Sequence, residues 1–543
     1  FWPTDVAAQG GALRPLSQNW LTVFSHAGSG WQSAGFGAAI PAHPVNWVLA
    51  ALSAVTFWQP SLAVGLLLLV SRSLAFWGVL RLAGRLGVSG AIGHLAALAF
   101  AFWPALTDAL AGGSLGAVIS IVVSPWLVSS LLATVDESRS RSSWQTQVGL
   151  SGLLLAVAVS AAPSSFVLWL LFGLALMMIH PRISLRLVWV LIPTFVIFAP
   201  YFWFMAIRFG HPLLAFADPL SANSQPLALW QAALGFNEPL ILTDLQPAHW
   251  MQIAATAIWL LLLIFAILLS TRRINLLLVG FWMLAGVFAW LLSNTDVANG
   301  AQGQNPQVAL GLAGLAIIFV IATALRDFRP KLIGLTMTLL VAPLLVSSFL
   351  QGSAVNYGPN RVLPAIVQAQ WQQGNNLKVL QLSGSSLVTA ELVTPENLTL
   401  DGQSQAYQLS AAMRQSSSEA KLLAQVAANL VAAGTSAQSQ EMSELGIGFV
   451  FAPNPTGKLV AALDSSPLLE AVGTTKLGRF WRVADARPSQ SETEPSQSQL
   501  WSITKSVQFA SLVVFGLMAL PTVGRTRKRR DTSLDEGELT DAS

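Results

Sequence analysis

The chain has 543 residues, of which 53% are hydrophobic and only 10% charged, with a formal net charge of +4 and no cysteine. A soluble globular protein carries about 25% charged residues, so one large soluble fold is excluded. Disulfides, thiolate metal sites and cysteine nucleophiles are excluded with it.

Residues 1–44 are rich in Gly and Pro (Gly28, Gly30, Gly35, Gly37, Pro41, Pro44) and read as an outer segment. They carry Asp5, His26 and His43. Histidine titrates near neutrality and can relay a proton or meet a substrate, although a lone loop histidine is more often simply solvated. No second carboxylate lies close to Asp5, so no general acid/base pair is visible there. Residues 45–58 are apolar but short and stop at Pro60, which reads as an interfacial or re-entrant helix rather than a full crossing.

A crossing needs about 20 apolar residues. About eleven segments qualify: 61–82, 88–106, 115–135, 145–161, 163–179, 186–206, 249–270, 275–293, 307–325, 331–350 and 502–523. The expected fold is therefore a polytopic α-helical membrane protein. Many of the 20 tryptophans fall near the ends of these runs, where an indole suits the headgroup layer. Taking 45–351 as the membrane core, an outer loop at 207–248 interrupts it and contains a short helix at 226–235.

Arg72 falls in the middle of the first span, where a charge is costly and reads by default as functional, a contact for a lipid phosphate or a substrate carbonyl; the evenly weighted alternative is a long or displaced helix in which Arg72 meets a cavity or pairs structurally. Asp108 ends the second span and precedes the turn Ala111-Gly112-Gly113-Ser114-Leu115-Gly116, which opens the next helix. A carboxylate there can act as a base or hold a cation, and a Gly turn before a helix can offer N–H groups to a phosphate. The alternative is a tight turn with a helix-capping acid. Arg208 and His211 follow the span ending near Ala206 and can contact phosphate, with snorkelling as the competing role for Arg208.

Residues 352–497 change character to Gln, Ser, Asn and Ala. Stretches 376–384, 445–453 and 478–485 read as strands, and 404–415 and 419–433 as helices. Alternating strands and helices predict a small extracytoplasmic α/β domain. Its acids, Asp401, Glu391 and Glu444, are scattered, so it reads as a binding or docking module for envelope proteins. A polar linker (488–498) leads to the last span, and a basic then acidic tail closes the chain.

Charge gives the topology. Six basic clusters alternate onto one side: Arg81/Arg85, Arg139/Arg141, Arg182/Arg186, Arg272/Arg273, Arg326/Arg329/Lys331 and the tail Arg525, Arg527, Lys528, Arg529, Arg530. The opposite short loops hold only Arg14 and Arg208. By the positive-inside rule the clustered side is cytoplasmic, Phe1 lies outside and the C-terminus inside. The basic charge belongs to these loops, so nucleic acid is not an expected partner. A chain that starts outside without a signal peptide implies an earlier span upstream of Phe1. No Walker A loop, His-Glu-x-x-His or dinucleotide-binding Gly-x-Gly-x-x-Gly is present.

Five stretches carry a resemblance: GGALRPL…GWQSAGFGAAIPAHPVNWVLAAL (10–52), RLAGRLG…AFWPALTDALAGGSLGAVISIVVSPWLV (81–128), IPTFVIFAPYFWF (192–204), LGIGFVFAPNP…LGRFWRV (445–483) and the closing span with RTRKRR. Together they resemble the membrane region of large actinobacterial cell-envelope glycosyltransferases, in which a cytoplasmic family 2 glycosyltransferase domain precedes a polytopic region. The aspartates that such a domain uses for a nucleotide-sugar and its divalent metal are not in this chain. The resemblance therefore implies that they lie upstream, and no cofactor is expected here. The core is also somewhat similar to C-type membrane glycosyltransferases, which use polyprenyl-phosphate sugars and an acidic base in the first outer loop, where Asp5 is the one acid. Where that family shows Gly-Arg-Leu-Gly, this chain has Gly113-Ser114-Leu115-Gly116.

The resulting expectation is the membrane portion of a cell-envelope glycosyltransferase, handling a lipid-linked or nucleotide-activated sugar in the plasma membrane. Its candidate catalytic residues are Asp108 and Asp5, and its candidate lipid-phosphate or substrate contacts are Arg72, Arg208 and His43. Its partners are membrane lipid and a lipid-linked sugar or glycan acceptor. The competing reading is a non-catalytic glycolipid flippase or scaffold. A secondary transporter would need paired broken helices in two halves, which the sequence does not show.

Overall fold

A computed structural model of the chain describes, with short gaps inside these ranges, residues 6–32, 39–135, 144–235, 273–295, 304–325, 341–359, 365–372, 377–402, 418–432, 438–487 and 499–520. Asp5, His211, most of 249–270 and 331–340, the basic clusters at 139/141 and 326/329/331, the helix expected at 404–415 and the basic tail lie outside the described residues.

Strand β1 (Val6–Gln9) is followed by the short helices α1 (Trp20–His26) and α2 (Val45–Val55). The membrane core then runs α3 (Pro60–Leu86), α4 (Ala91–Ala101), α5 (Pro104–Gly112), α6 (Leu115–Val135), α7 (Trp144–Ala161), α8 (Phe166–Ile179) and α9 (Ser184–Trp203). After the small α10 (Leu229–Leu234) come α11 (Arg273–Asn294) and α12 (Gln307–Leu325). Among the described residues, eight helical segments are long and apolar enough to cross a membrane, α4 and α5 counting as one. The chain is a polytopic helical membrane protein. The eight coincide with eight of the eleven sequence segments. The segment expected at 163–179 forms a 3-10 turn and a 14-residue α8, stopped by His180-Pro181. Together they carry the chain from Ser164, bonded to Asp218 at one end of the bundle, to Arg186, which lies over Trp144 at the other.

The α4–α5 break has a local cause. Pro104 disfavours helical dihedrals at the residue before it, and Trp103 is extended (φ −60, ψ 138). Pro104 then starts α5 at a position where its missing N–H costs nothing. Trp103 turns inward onto α12, the most enclosed helix, whose residues Val308–Phe319 are nearly all buried. Gly314 makes room for it, since a Cβ there would sit 2.3 Å from the indole.

The second unit begins with β2 (Asn356–Pro359), which pairs antiparallel with β1. It continues through α13 (Ala365–Gln372), β3 (Lys378–Ser383), β4 (Thr389–Val393), α14 (Ser418–Val431), α15 (Gln438–Glu444), β5 (Ile447–Ala452), α16 (Gly457–Asp464), β6 (Leu469–Thr475) and β7 (Gly478–Val483). The sheet order is β4-β3-β5-β7-β6, with β3 and β5 parallel and the other pairs antiparallel. Leu380, Leu382, Leu430, Ile447, Val450 and Trp481 fill one core under α14–α16. Strands β4 and β6 escape the sequence reading because Gly473 and the polar residues of β4 interrupt any alternation. The last crossing is α17 (Gln499–Ala519).

Candidate functional site

The helices alternate between two ends. One, the domain-side end, gathers the N-terminal segment, the α5–α6 turn, the α9–α10 loop and the sheet unit. Its centre is a backbone lock. Gly11 has φ +61 and Gly113 has φ +71, the left-handed region that glycine adopts without penalty. A Cβ on Gly11 would lie 2.2 Å from the Gly112 carbonyl oxygen, and one on Gly113 would lie 2.6 Å from that of Gly10. The Ala12 N–H donates to Gly112 O (2.9 Å), and the Ala354 N–H donates to Ala111 O (2.9 Å).

The turn's own N–H groups are occupied. Those of Gly113, Ser114, Leu115 and Gly116 donate to the carbonyls of Leu110, Ala109, Gly113 and Leu220. The phosphate-cradle reading of this turn therefore fails; it is a structural joint. Asp108, one turn earlier on α5, stays partly exposed and accepts from the Gln351 side-chain amide at 2.6 Å.

A second group forms around Asp401, which is buried in the loop after β4. Its Oδ1 accepts from the Ser17 N–H (2.9 Å), and its Oδ2 accepts from Ser17 Oγ (2.7 Å) and lies 2.7 Å from His26 Nδ1. The Asn46 amide donates to the Asp401 carbonyl (2.9 Å). Burial pushes this carboxyl upward, but the His26 and Ser17 bonds outweigh it and hold it below its ordinary value. His26 is thus no solvated loop histidine, and Asp401 is no scattered surface acid. The two are 375 residues apart, and no spacing signal could have joined them. Nearby, burial raises the Glu391 carboxyl on β4, with Arg14 as the opposing charge.

A third group lies where α2, α7 and α9 converge. Asp218 is buried and accepts from the Ser164 N–H (3.0 Å) and Ser164 Oγ (2.8 Å). Burial pushes it up to about 7, against the lowering effect of both bonds. His43 is also buried, and its Nδ1 accepts the Val45 N–H at 3.1 Å, so the ring proton sits on Nε2. Burial pushes His43 down to about 3, which keeps it neutral at physiological pH. Its ring stands edge-on to Tyr201 at 4.9 Å. Sequence reading passed over Asn46 and Tyr201, because each looks like an ordinary member of an apolar helix.

The remaining candidates do not join these groups. Arg208 is exposed at the end of a π-helical turn, Phe204–Arg208. Arg72 lies in mid-α3, its guanidinium 4.7 Å from the centre of the Phe102 ring. Among the described residues no group of three or more His, Cys, Asp or Glu could hold a metal ion.

No family model matches the sequence, and no curated protein matches it. Solved structures do. The cryo-EM structure of arabinofuranosyltransferase AftD from Mycobacteria aligns with a TM-score of 0.53 at 16% identity, covering 88% of this chain and 38% of that one. A mutant of the same enzyme aligns with a TM-score of 0.50 at 16% identity, over 89% of this chain and 40% of that one. ArnT from Cupriavidus metallidurans, solved with undecaprenyl phosphate, is a more distant likeness with a TM-score of 0.38 and 12% identity, covering 88% of this chain and 96% of that one. At these identities the likeness is one of fold. The chain spans about two fifths of the length of AftD.

Proposed function

We propose that the chain is the membrane-embedded part of a glycosyltransferase that takes its sugar from a lipid-linked donor. The observation that carries this reading is the fold shared with AftD over 88% of the chain. The chemistry would sit at the domain-side end, where buried carboxylates and neutral donors collect and where the sheet unit can hold a glycan. Asp108 is the candidate base or cation holder, since it combines partial exposure with an orienting Gln351 amide at 2.6 Å. Arg208 and His43 are further candidates at the same end, His43 as a neutral Nε2–H donor rather than a cation, and Asp5, outside the described residues, is a candidate by sequence alone. The arginine-bearing ends would face the cytoplasm and the sheet unit the exterior.

The test is sugar transfer by the full chain in proteoliposomes, with a labelled polyprenyl-phosphate pentose or hexose as donor and envelope glycan as acceptor. Transfer above protein-free vesicles is expected, with Asp108→Asn lowering the rate about 100-fold or more, in the range of a lost acid/base group. Absence of transfer from every donor tried would reject the reading.

A further inference from the structure

Arg72 has a depth problem that the sugar-transfer reading leaves unsolved. It lies twelve residues after Pro60 and fourteen before Leu86 on the 27-residue α3. At 1.5 Å per residue that is about 18 Å and about 21 Å from the helix ends. The hydrocarbon layer is about 30 Å thick, so Arg72 sits near its middle. The side chain leans toward the N-terminal, domain-side half of α3 but is too short to reach the headgroups.

Among the described residues no counter-ion meets it. Asp108 is the one acid in the eight spans, and the Gln351 amide holds it at the domain-side end of α5. Among the described residues the Arg72 guanidinium has the Phe102 ring as its partner and makes no ion pair. Phe102 stands at the α4–α5 break, so the cation and the irregular backbone meet at one depth. Non-helical backbone at such depth is tolerated where it is enclosed by protein or faces a polar space. Leu69, three residues before Arg72 on the same face of α3, is exposed, so the site opens sideways to the bilayer.

We infer that Arg72, backed by Phe102 at the broken α4–α5 helix, binds the phosphate head of a membrane lipid that is drawn below headgroup level through the α3 face. The planar guanidinium fork matches a phosphate in a bidentate manner, and the low dielectric strengthens the pair. A lipid is the source because the approach is apolar, and a free anion would have to cross hydrocarbon to arrive. The inference needs only the bilayer and stands whether or not the chain transfers sugar.

The experiment is native mass spectrometry of the purified full chain with dioleoyl phosphatidic acid, dioleoylglycerol or inorganic phosphate as probe. Phosphatidic acid retention should fall about tenfold in Arg72→Met and be partly kept in Arg72→Lys, while dioleoylglycerol retention stays unchanged. Millimolar inorganic phosphate should not displace the lipid. Because Arg72→Met removes an uncompensated charge, its melting temperature should equal or exceed that of the parent. Three results would overturn the proposal: wild-type retention by Arg72→Met, an equal loss in the control Arg81→Met at the other end of α3, or displacement by inorganic phosphate. A fall in melting temperature for Arg72→Met would instead assign the charge a structural role and also reject the site.

Discussion

The two ends of the helical bundle are built on opposite principles. At the domain-side end, charged and polar groups are buried and hydrogen-bonded across segments: Asp401 with Ser17 and His26, Asp218 with Ser164, the Asn46 amide with the Asp401 carbonyl. At the other end, charge stays at the surface and lies on aromatic faces. Arg81 lies over Trp126 at 5.7 Å and Arg186 over Trp144 at 5.6 Å, and Arg85 donates to Ser129 at 2.9 Å. Buried, hydrogen-bonded groups are costly to maintain and hold a unique geometry, while surface arginines are cheap and interchangeable. Precise positioning is therefore concentrated at one end, which is where chemistry would need it.

The largest expected effect tests the backbone lock. Gly11→Val adds a side chain at φ +61 whose Cβ meets the Gly112 carbonyl oxygen. Strain and overpacking together should cost about 3–5 kcal/mol, enough to abolish accumulation of folded protein in membranes. Gly84→Val, which has open space around it, should express normally. Equal expression of the two variants would show that the two ends do not differ in rigidity.

Next in size is Asp401→Asn. It removes the charge from a buried cluster of hydrogen bonds and should cost about 2–3 kcal/mol. Because the folded-state carboxyl is held below its ordinary value, its contribution is present above that ordinary value and is lost as pH falls through the folded one. Protease sensitivity of the N-terminal segment should therefore rise in acid for the parent and be high at all pH in the variant.

Much of the fold was legible because its signals are local. Run length marked every described crossing; at 163–179 it did not reveal that a 3-10 turn and His180-Pro181 would bound a helix of only 14 residues. The site was less legible. Asp108 and Arg72 could be singled out because a charge in an apolar run is conspicuous. His26, Asp401 and Asp218 could not, since each is an ordinary loop residue until a partner in another segment buries it. The Gly turn misled for the related reason that a sequence shows which N–H groups exist and not which carbonyls will take them.

Asp218→Asn separates the two buried carboxylates. Asp218 is raised from 3.8 to about 7, so the folded state holds more protons than the unfolded chain across that window. Stability of the α7–α9 junction should therefore fall as pH rises from about 4 to about 7, opposite in sign to Asp401. The Asn variant should show a flatter melting temperature between pH 5 and 8. An unchanged slope would mean that Asp218 is ionised and solvated, and that the domain-side end is wetter than its packing implies.

The smallest effect is expected at the other end. Arg81 is exposed over the face of Trp126, whose indole packs on Gly78 and donates to the Leu74 carbonyl at 3.0 Å. An exposed cation–π contact contributes about 0.5–1 kcal/mol. Arg81→Ala should lower stability by no more than that, and Arg81→Lys by less. A double-mutant cycle with Trp126→Leu isolates the pair, since the leucine keeps apolar bulk while removing the π face. A coupling above about 2 kcal/mol would place Arg81 among groups as demanding as Asp401, and the contrast between the two ends would no longer hold.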